Sequence, residues 1–283
     1  MIQYLLPNGM RLTADVAGPI DCVPVLLLHG GGQTRGAWRE SVDLLAARGY
    51  RAIALDLRGH GDSEWSPDGQ YGLEIVAADI RQVLHELGQP AIVIGASFGG
   101  LVSMILLGGE TPPPLLGLVL VDITQQLDDD GTRRVFEFMR GCIGGFATME
   151  DAAEAISRYQ PHRPRPDNLD GLRRNLRQCE DGRYHWHWDP RFLDNHETEE
   201  RLNNNARLSA ALGTIRAPIL LVHGSDSDVV TADEIASFSR LLPDAEIVAI
   251  AGARHMVSGD NNDAFANAIL NFIDRVVTGL DRR

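Results

Sequence analysis

Cysteine, long apolar runs and positive charge are all scarce in this chain of 283 residues. The three cysteines, Cys22, Cys142 and Cys179, form an odd set spread far apart. That excludes a disulfide framework, and the spacing suits no zinc site. Reduced thiols in a cytoplasmic protein are the expectation. No apolar stretch reaches the ~18 residues that a membrane-spanning helix needs. The opening Met1-Ile-Gln-Tyr-Leu-Leu-Pro-Asn-Gly shows no basic leader ahead of a long apolar segment, so no signal peptide is expected. Basic residues number 26 against 39 acidic ones, giving a net charge of -13. Such a chain repels phosphate backbones and anionic membrane surfaces, which sets nucleic acid and membrane aside as partners. Solubility is the simplest use of the charge. A small-molecule substrate is the expected partner, with a homodimer the one assembly left open.

No internal repeat or low-complexity tract is visible. The chain opens as a hairpin, with strands over 2–6 and 10–16 around Pro7-Asn8-Gly9. Asn-Gly supplies the positive φ that tight hairpins need. An alternation follows: strands over 23–28, 51–55, 91–95 and 116–121, and helices over 41–48, 73–87 and 99–107. The strands are short, continuous apolar runs, as expected where both faces of a sheet are covered. The rhythm breaks after Ile123 and resumes with strands over 219–222 and 246–250 and helices over 232–241 and 263–277. The expectation is an α/β protein with a mostly parallel central sheet and helices on both faces. Residues 1–123 and 206–283 form the core. Residues 124–205, charged, aromatic and irregular, are an insertion at one edge of the continuous sheet, read as a largely helical lid.

The candidate chemistry centres on Ile92-Val-Ile-Gly95-Ala-Ser97-Phe98-Gly99-Gly100. An apolar strand runs into Gly-X-Ser-X-Gly and then a helix, which holds a serine hydroxyl above the sheet edge on a strained turn. A serine needs a base at neutral pH. His255, in a loop between the last strand and the last helix, is the best candidate; His29, His60 and His85 are weaker. The base needs a carboxylate to orient it. Asp228 is favoured because it directly precedes an apolar pair leading into the next helix, Asp122 is second and Asp226 third. For the oxyanion, two backbone N–H groups are expected: one from Phe98 and one from Gly31, with Gly32 as its alternative. The glycine run is not Gly-X-Gly-X-X-Gly and no Walker lysine follows, so nucleotide binding is set aside. Asp56-Leu-Arg-Gly-His-Gly-Asp-Ser63 reads as a structural turn shaping the rim of the site. His185-Trp-His-Trp188 lacks a third ligand at zinc spacing and reads as aromatic lining of an apolar pocket.

Four blocks together resemble the α/β-hydrolase superfamily: Leu28-His-Gly-Gly-Gly32, Asp56–Ser63, Gly95-Ala-Ser-Phe-Gly99 and Gly252-Ala-Arg-His255. Within it the chain is similar to the lidded branch of small esterases, cofactor-free haloperoxidases, C–C bond hydrolases and epoxide hydrolases. Serine at position 97 sets aside the aspartate-nucleophile chemistries of that branch. The family's Gly-X-X-Asp acid loop reads here as Gly224-Ser-Asp-Ser-Asp228, with aspartates one residue to either side of the usual place. Some members take the acid after the earlier strand, where Asp122 lies. The resemblance implies a serine hydrolase acting on a small ester, lactone or related carbonyl compound, with no metal and no cofactor. A perhydrolase or C–C hydrolase with the same triad is the alternative. A ligand receptor on a hydrolase fold is the non-enzymatic one.

Overall fold

Period-two packing builds the centre of the molecule. In the computed structural model, β3 (Pro24–Leu28) is wholly buried, with Leu26 and Leu28 in one apolar cluster and Val25 and Leu27 in another. Successive side chains of a strand point to opposite faces, so one continuous apolar run serves two cores. The same alternation holds in β5 (Ala91–Ala96), β6 (Leu115–Val121) and β9 (Ile219–Gly224): Val93, Leu118 and Leu221 face one way, and Ile94, Val119 and Val222 the other. Residues 1–126, 129–161, 169–173, 175–196, 198–257 and 262–280 are described.

The sheet has eight strands in the order β1-β2-β4-β3-β5-β6-β9-β10, completed by β1 (Ile2–Leu5), β2 (Arg11–Ala17), β4 (Arg51–Leu55) and β10 (Glu246–Ile250). The β1-β2 and β2-β4 pairs are antiparallel and the rest parallel. The opening hairpin turns where expected: Gly9 has φ 85°, and Asn8 Oδ1 accepts from Met10 N–H at 3.0 Å. Helices α1 (Arg39–Ala47), α2 (Leu73–Leu87) and α3 (Phe98–Leu107) follow their strands. Val42 and Leu45 of α1 enter one core, while Val76 and Ile80 of α2 and Val102 of α3 enter the other, so the sheet is covered on both faces.

The inserted segment leaves the C-terminal end of β6 and returns to β9, its hydrogen-bonded neighbour. The sheet therefore stays continuous across it. The segment contains α4 (Asp129–Gly141), α5 (Met149–Tyr159) and α6 (Asp170–Arg173), then a hairpin of β7 (Leu176–Gln178) and β8 (Tyr184–Trp186), an addition to the largely helical segment expected. A 3-10 stretch (Pro190–His196) leads to α7 (Thr198–Thr214), which runs through residue 205. Leu208 and Leu212 of α7 are buried in the main core, and α7 packs so closely on α3 that a Cβ on Gly108 would lie 2.3 Å from Ala211 O. The C-terminal half of this helix is thus core structure. Helices α8 (Ala232–Leu241) and α9 (Asn262–Leu280) complete the chain. Among the described residues no helix is long and apolar enough to cross a membrane.

The chain has no lysine; all 26 basic residues are arginines. One of them, Arg58, is 6% exposed and grips Asp79 of α2, 2% exposed, through Nε to Oδ2 at 2.5 Å and Nη2 to Oδ1 at 2.7 Å. A two-pronged guanidinium–carboxylate pair satisfies both charges where neither meets water. Removing one partner strands the other. Arg58→Ala should therefore destabilise the fold by about 3–5 kcal/mol in urea unfolding, with part of the loss recovered in the Arg58→Ala/Asp79→Ala double variant. An unchanged midpoint in the single variant would refute this role.

Candidate active site

The C-terminal ends of the parallel strands are where loops can converge on a substrate. Ser97 sits there between β5 and α3 with φ 45° and ψ -115°. Positive φ is strained for a residue with a side chain, and the surroundings enforce it. A Cβ on Gly95 would lie 2.6 Å from Gly99 O, and one on Gly99 would lie 2.5 Å from Leu28 O. The two glycines of the pentapeptide are thus required by close backbone approach. The turn presents Ser97 at the wall of a cavity of about 560 Å³.

His255 lines the same cavity from the loop after β10. Its Nδ1 lies 2.8 Å from Oδ2 of Asp122. An ionised carboxylate can only accept, so the proton sits on Nδ1 and Nε2 is left basic. Asp122 follows β6 directly, with φ 48° and no exposed surface. Its Oδ1 accepts from Gly224 N–H at 2.9 Å, and its Oδ2 accepts from the Ser227 hydroxyl at 2.6 Å as well as from His255.

The structure brings Asp122, not the favoured Asp228, to His255. Asp228 is 42% exposed and points to the inserted segment, where Arg134 Nη2 of α4 donates to it at 3.1 Å. Asp226 is exposed and accepts from the Ser225 hydroxyl. The reason is visible at Ser227. It stands at the fourth position of the Gly-X-X-Asp pattern, and its hydroxyl reaches the Asp122 carboxylate instead of carrying one. Ser227 had no place in the sequence reading. The signal that could have found it was the serine itself, at the spacing where the family pattern has an acid.

The glycine loop shows which backbone donors are in use. Gly30 N–H donates to Gln33 Oε1 at 3.0 Å, and Gly32 N–H donates to His60 Nε2 at 3.1 Å. Among the described residues nothing accepts Gly31 N–H. Gly31 and Phe98 line the cavity on either side of the turn that carries Ser97, and a Cβ on Gly31 would lie 3.8 Å from Phe98 Cβ. Gln33 also ties this loop to the histidine loop, since its Nε2 donates to Met256 Sδ at 3.0 Å.

Two buried imidazoles hold the loop from behind. His29 donates through Nδ1 to Gly30 O at 2.8 Å and accepts from Leu57 N–H at Nε2. His60 donates through Nδ1 to Arg58 O at 3.1 Å while its Nε2 takes Gly32 N–H. Burial pushes both below the ordinary histidine value, His29 to about 4 and His60 to about 3. Neutral rings suit these contacts, because a protonated ring loses the acceptor nitrogen that each backbone N–H uses. The turn over Asp56–Ser63 is anchored in the same way. The buried Asp56 accepts from the backbone of Arg35 and Asp62 and pairs with the Arg35 guanidinium.

The inserted segment forms the opposite wall of the cavity with Val135, Phe138, Met139, Tyr159, Trp186 and Trp188. Among the described residues no group of three His, Cys, Asp or Glu side chains is placed to hold a metal ion.

Residues 23–262 match the family model for the alpha/beta hydrolase fold. The chain belongs to this family. It is 31% identical over 227 residues to the esterase Rv0045c of Mycobacterium tuberculosis, covering 76% of this chain and 70% of that protein. It is also 27% identical over 265 residues to the mouse sn-1-specific diacylglycerol lipase ABHD11, covering 88% and 80%. A solved structure of Rv0045c superposes with a TM-score of 0.71 at 26% identity, over 93% of this chain and 89% of that one. E-2-(acetamidomethylene)succinate hydrolase shares the fold, with a TM-score of 0.82 at 24% identity over 96% and 99%. Family and esterase relatives together support hydrolase activity for this chain.

The buried imidazoles set an acid limit on the fold. Their folded values lie below the unfolded value near 6.5, so the unfolded chain binds protons first as pH falls. Stability is intact above about pH 6.5 and declines towards pH 4–3, by up to about 1.4 kcal/mol per pH unit for each ring. His60→Asn should start less stable at pH 7 and lose stability less steeply between pH 6.5 and 4. Urea unfolding across that range checks this, and an equal slope in the variant would remove His60 from the account.

Proposed function

We propose that this protein is a serine carboxylesterase for neutral esters with an apolar acyl chain. The observation that carries the reading is the contact of His255 Nδ1 with the buried Asp122 carboxylate at 2.8 Å, in a cavity that Ser97 also lines. Ser97 Oγ attacks the ester carbonyl and its proton passes to His255 Nε2. The tetrahedral oxyanion is held by the N–H groups of Gly31 and Phe98, the latter at the start of α3, whose dipole also favours negative charge there. The intermediate collapses, the C–O bond to the alcohol breaks, and His255 returns the proton to the departing oxygen. Water then enters, gives its proton to His255 and releases the acid from Ser97 by the reverse sequence. Asp122 fixes the imidazole tautomer and stabilises its charged form throughout.

The substrate class follows from the lining. Among the described residues, those that line the cavity include no aspartate, glutamate or arginine. Beside Ser97 and His255, its polar side chains include the neutral Gln33, Thr34, Thr132, Tyr159, Gln160 and Asn175. A volume of about 560 Å³ accepts a small organic molecule. An acyl chain ending in a carboxylate would find no countercharge among the described lining residues, at a cost of several kcal/mol.

Two measurements test the reading. With p-nitrophenyl butyrate, Ser97→Ala should lose about 10⁴-fold or more in turnover. Asp122→Asn should lose about 10³–10⁴-fold, and Asp228→Asn should stay within about twofold of the parent. Intact turnover in Ser97→Ala sinks the mechanism, and equal losses in the two aspartate variants sink the assignment of the acid. For the substrate, kcat/KM for p-nitrophenyl hexanoate should exceed that for the mono-p-nitrophenyl ester of adipate by about 100-fold, the cost of an unpaired buried charge. Comparable values for the two esters would show that the cavity does not select against charge.

A further inference from the structure

We propose that Phe192, supplied by the inserted segment, is a positioning residue for the oxyanion donors. The inference rests on the serine-hydrolase reading above and adds to it a part of the site that lies outside the core fold.

The Phe192 ring is 2% exposed and touches every part of the donor apparatus. It stands edge-on to the Phe98 ring, with centroids 4.9 Å apart at 89°. It meets His60 in the same manner, at 4.9 Å and 82°. His60 is the acceptor that holds Gly32 N–H, so this contact reaches the glycine loop from behind. The ring also covers Gly31 directly. A Cβ built there would lie 3.2 Å from both Cε1 and Cζ, so the backbone approaches the ring as closely as a glycine allows. One flat side chain thus packs against both residues whose N–H groups face the oxyanion and against the clamp on the residue next to one of them.

The ring is itself fixed. Phe192 N–H donates to Asp189 O at 2.9 Å. Asp189, 1% exposed, donates its own N–H to Gly59 O at 2.8 Å, while its carboxylate accepts from the Tyr71 hydroxyl at 2.5 Å and from Arg191 Nη2 at 2.6 Å. Arg191 continues to Ser66 O at 2.8 Å. Residues 189–192 are therefore riveted to the turn that follows β4, and the ring cannot drift from the glycine loop without breaking buried polar contacts.

Oxyanion donors act through preorganisation, and a misplacement of about 1 Å can cost about 100-fold in rate. The ring supplies that preorganisation from the cavity wall, through its contacts with Gly31, Phe98 and His60. Its loss should lower kcat and leave ground-state binding nearly intact.

The experiment uses Phe192→Leu and Phe192→Met, which keep the site apolar but remove the flat edge. Near-UV circular dichroism selects a temperature at which both are folded. With p-nitrophenyl butyrate, kcat should fall about 10–100-fold while KM stays within about threefold. Inhibition by butylboronic acid, whose serine adduct places an oxygen at the oxyanion position, should weaken by the same factor as kcat/KM. Phe138→Ala, on the far wall of the cavity, should instead raise KM with a smaller effect on kcat. A kcat within about twofold of the parent overturns the proposal, as does a fall in kcat with unchanged boronate affinity. Wild-type protein that a fluorophosphonate probe fails to label would remove the serine reading and this inference together. Labelled, active wild type with unaffected Phe192 variants removes this inference alone.

Discussion

A carboxylate with no exposed surface organises the catalytic side of this molecule. Asp122 must keep its charge away from water, so it must be surrounded by donors, and its three donors come from two separate stretches of chain. Gly224 at the end of β9 supplies a backbone N–H, Ser227 in the loop beyond it supplies a hydroxyl, and His255 after β10 supplies a ring N–H. Meeting the electrostatic demand of one side chain therefore aligns two strands and two loops. Ser227 is doubly used, since its oxygen also accepts from the N–H groups of Val229 and Val230 and so shapes the entry to α8.

The glycine loop is held by the same logic with neutral groups. His29 and His60 are full-sized rings with no exposed surface, and each completes one backbone donor and one backbone acceptor. Their low proton affinity is the counterpart of that role. The inserted segment closes the arrangement from the other side. Its isolated bridge between Trp188 and His60, together with the Asp189 contacts, joins it to the core at the back of the loop. It has its own small cluster around Cys142, Phe146 and Met149, with Phe138 and Trp186 packing against both that cluster and the main core. Segment and core are thus coupled at one edge, while Arg134 and Asp228 form an exposed contact at another.

Much of the fold was legible because apolar runs and helical periodicity report burial directly. Helix 73–87 and strands 51–55 and 246–250 match the observed elements α2, β4 and β10 at both ends. Ser97 and His255 stood out because each lies in a local pattern, a pentapeptide or a loop between two clear elements, and the structure brings both to one cavity. The carboxylate partner of His255 was not legible in that way. Asp122 and Asp228 have equally ordinary neighbours, and what separates them is a pair of long-range contacts: Asp122 meets His255, 133 residues away, while Asp228 meets Arg134 of the inserted segment. The insertion was legible as an interruption and not as a structure. Its hairpin is only three residues per strand, too short for periodicity to register, and Phe192 owes its importance to a loop distant in sequence.

The absence of lysine from this chain has a chemical corollary. An acyl group carried on a serine is an electrophile, and a nearby ε-amine would capture it irreversibly as an amide. This chain has none to offer, and guanidinium groups, charged at all working pH values, are poor nucleophiles. On the serine-hydrolase proposal, no lysine of this chain can divert the acyl group. The same feature makes the folded protein unreactive at its side chains towards amine-directed cross-linkers, so immobilisation or labelling through side chains is directed to its thiols or carboxylates instead.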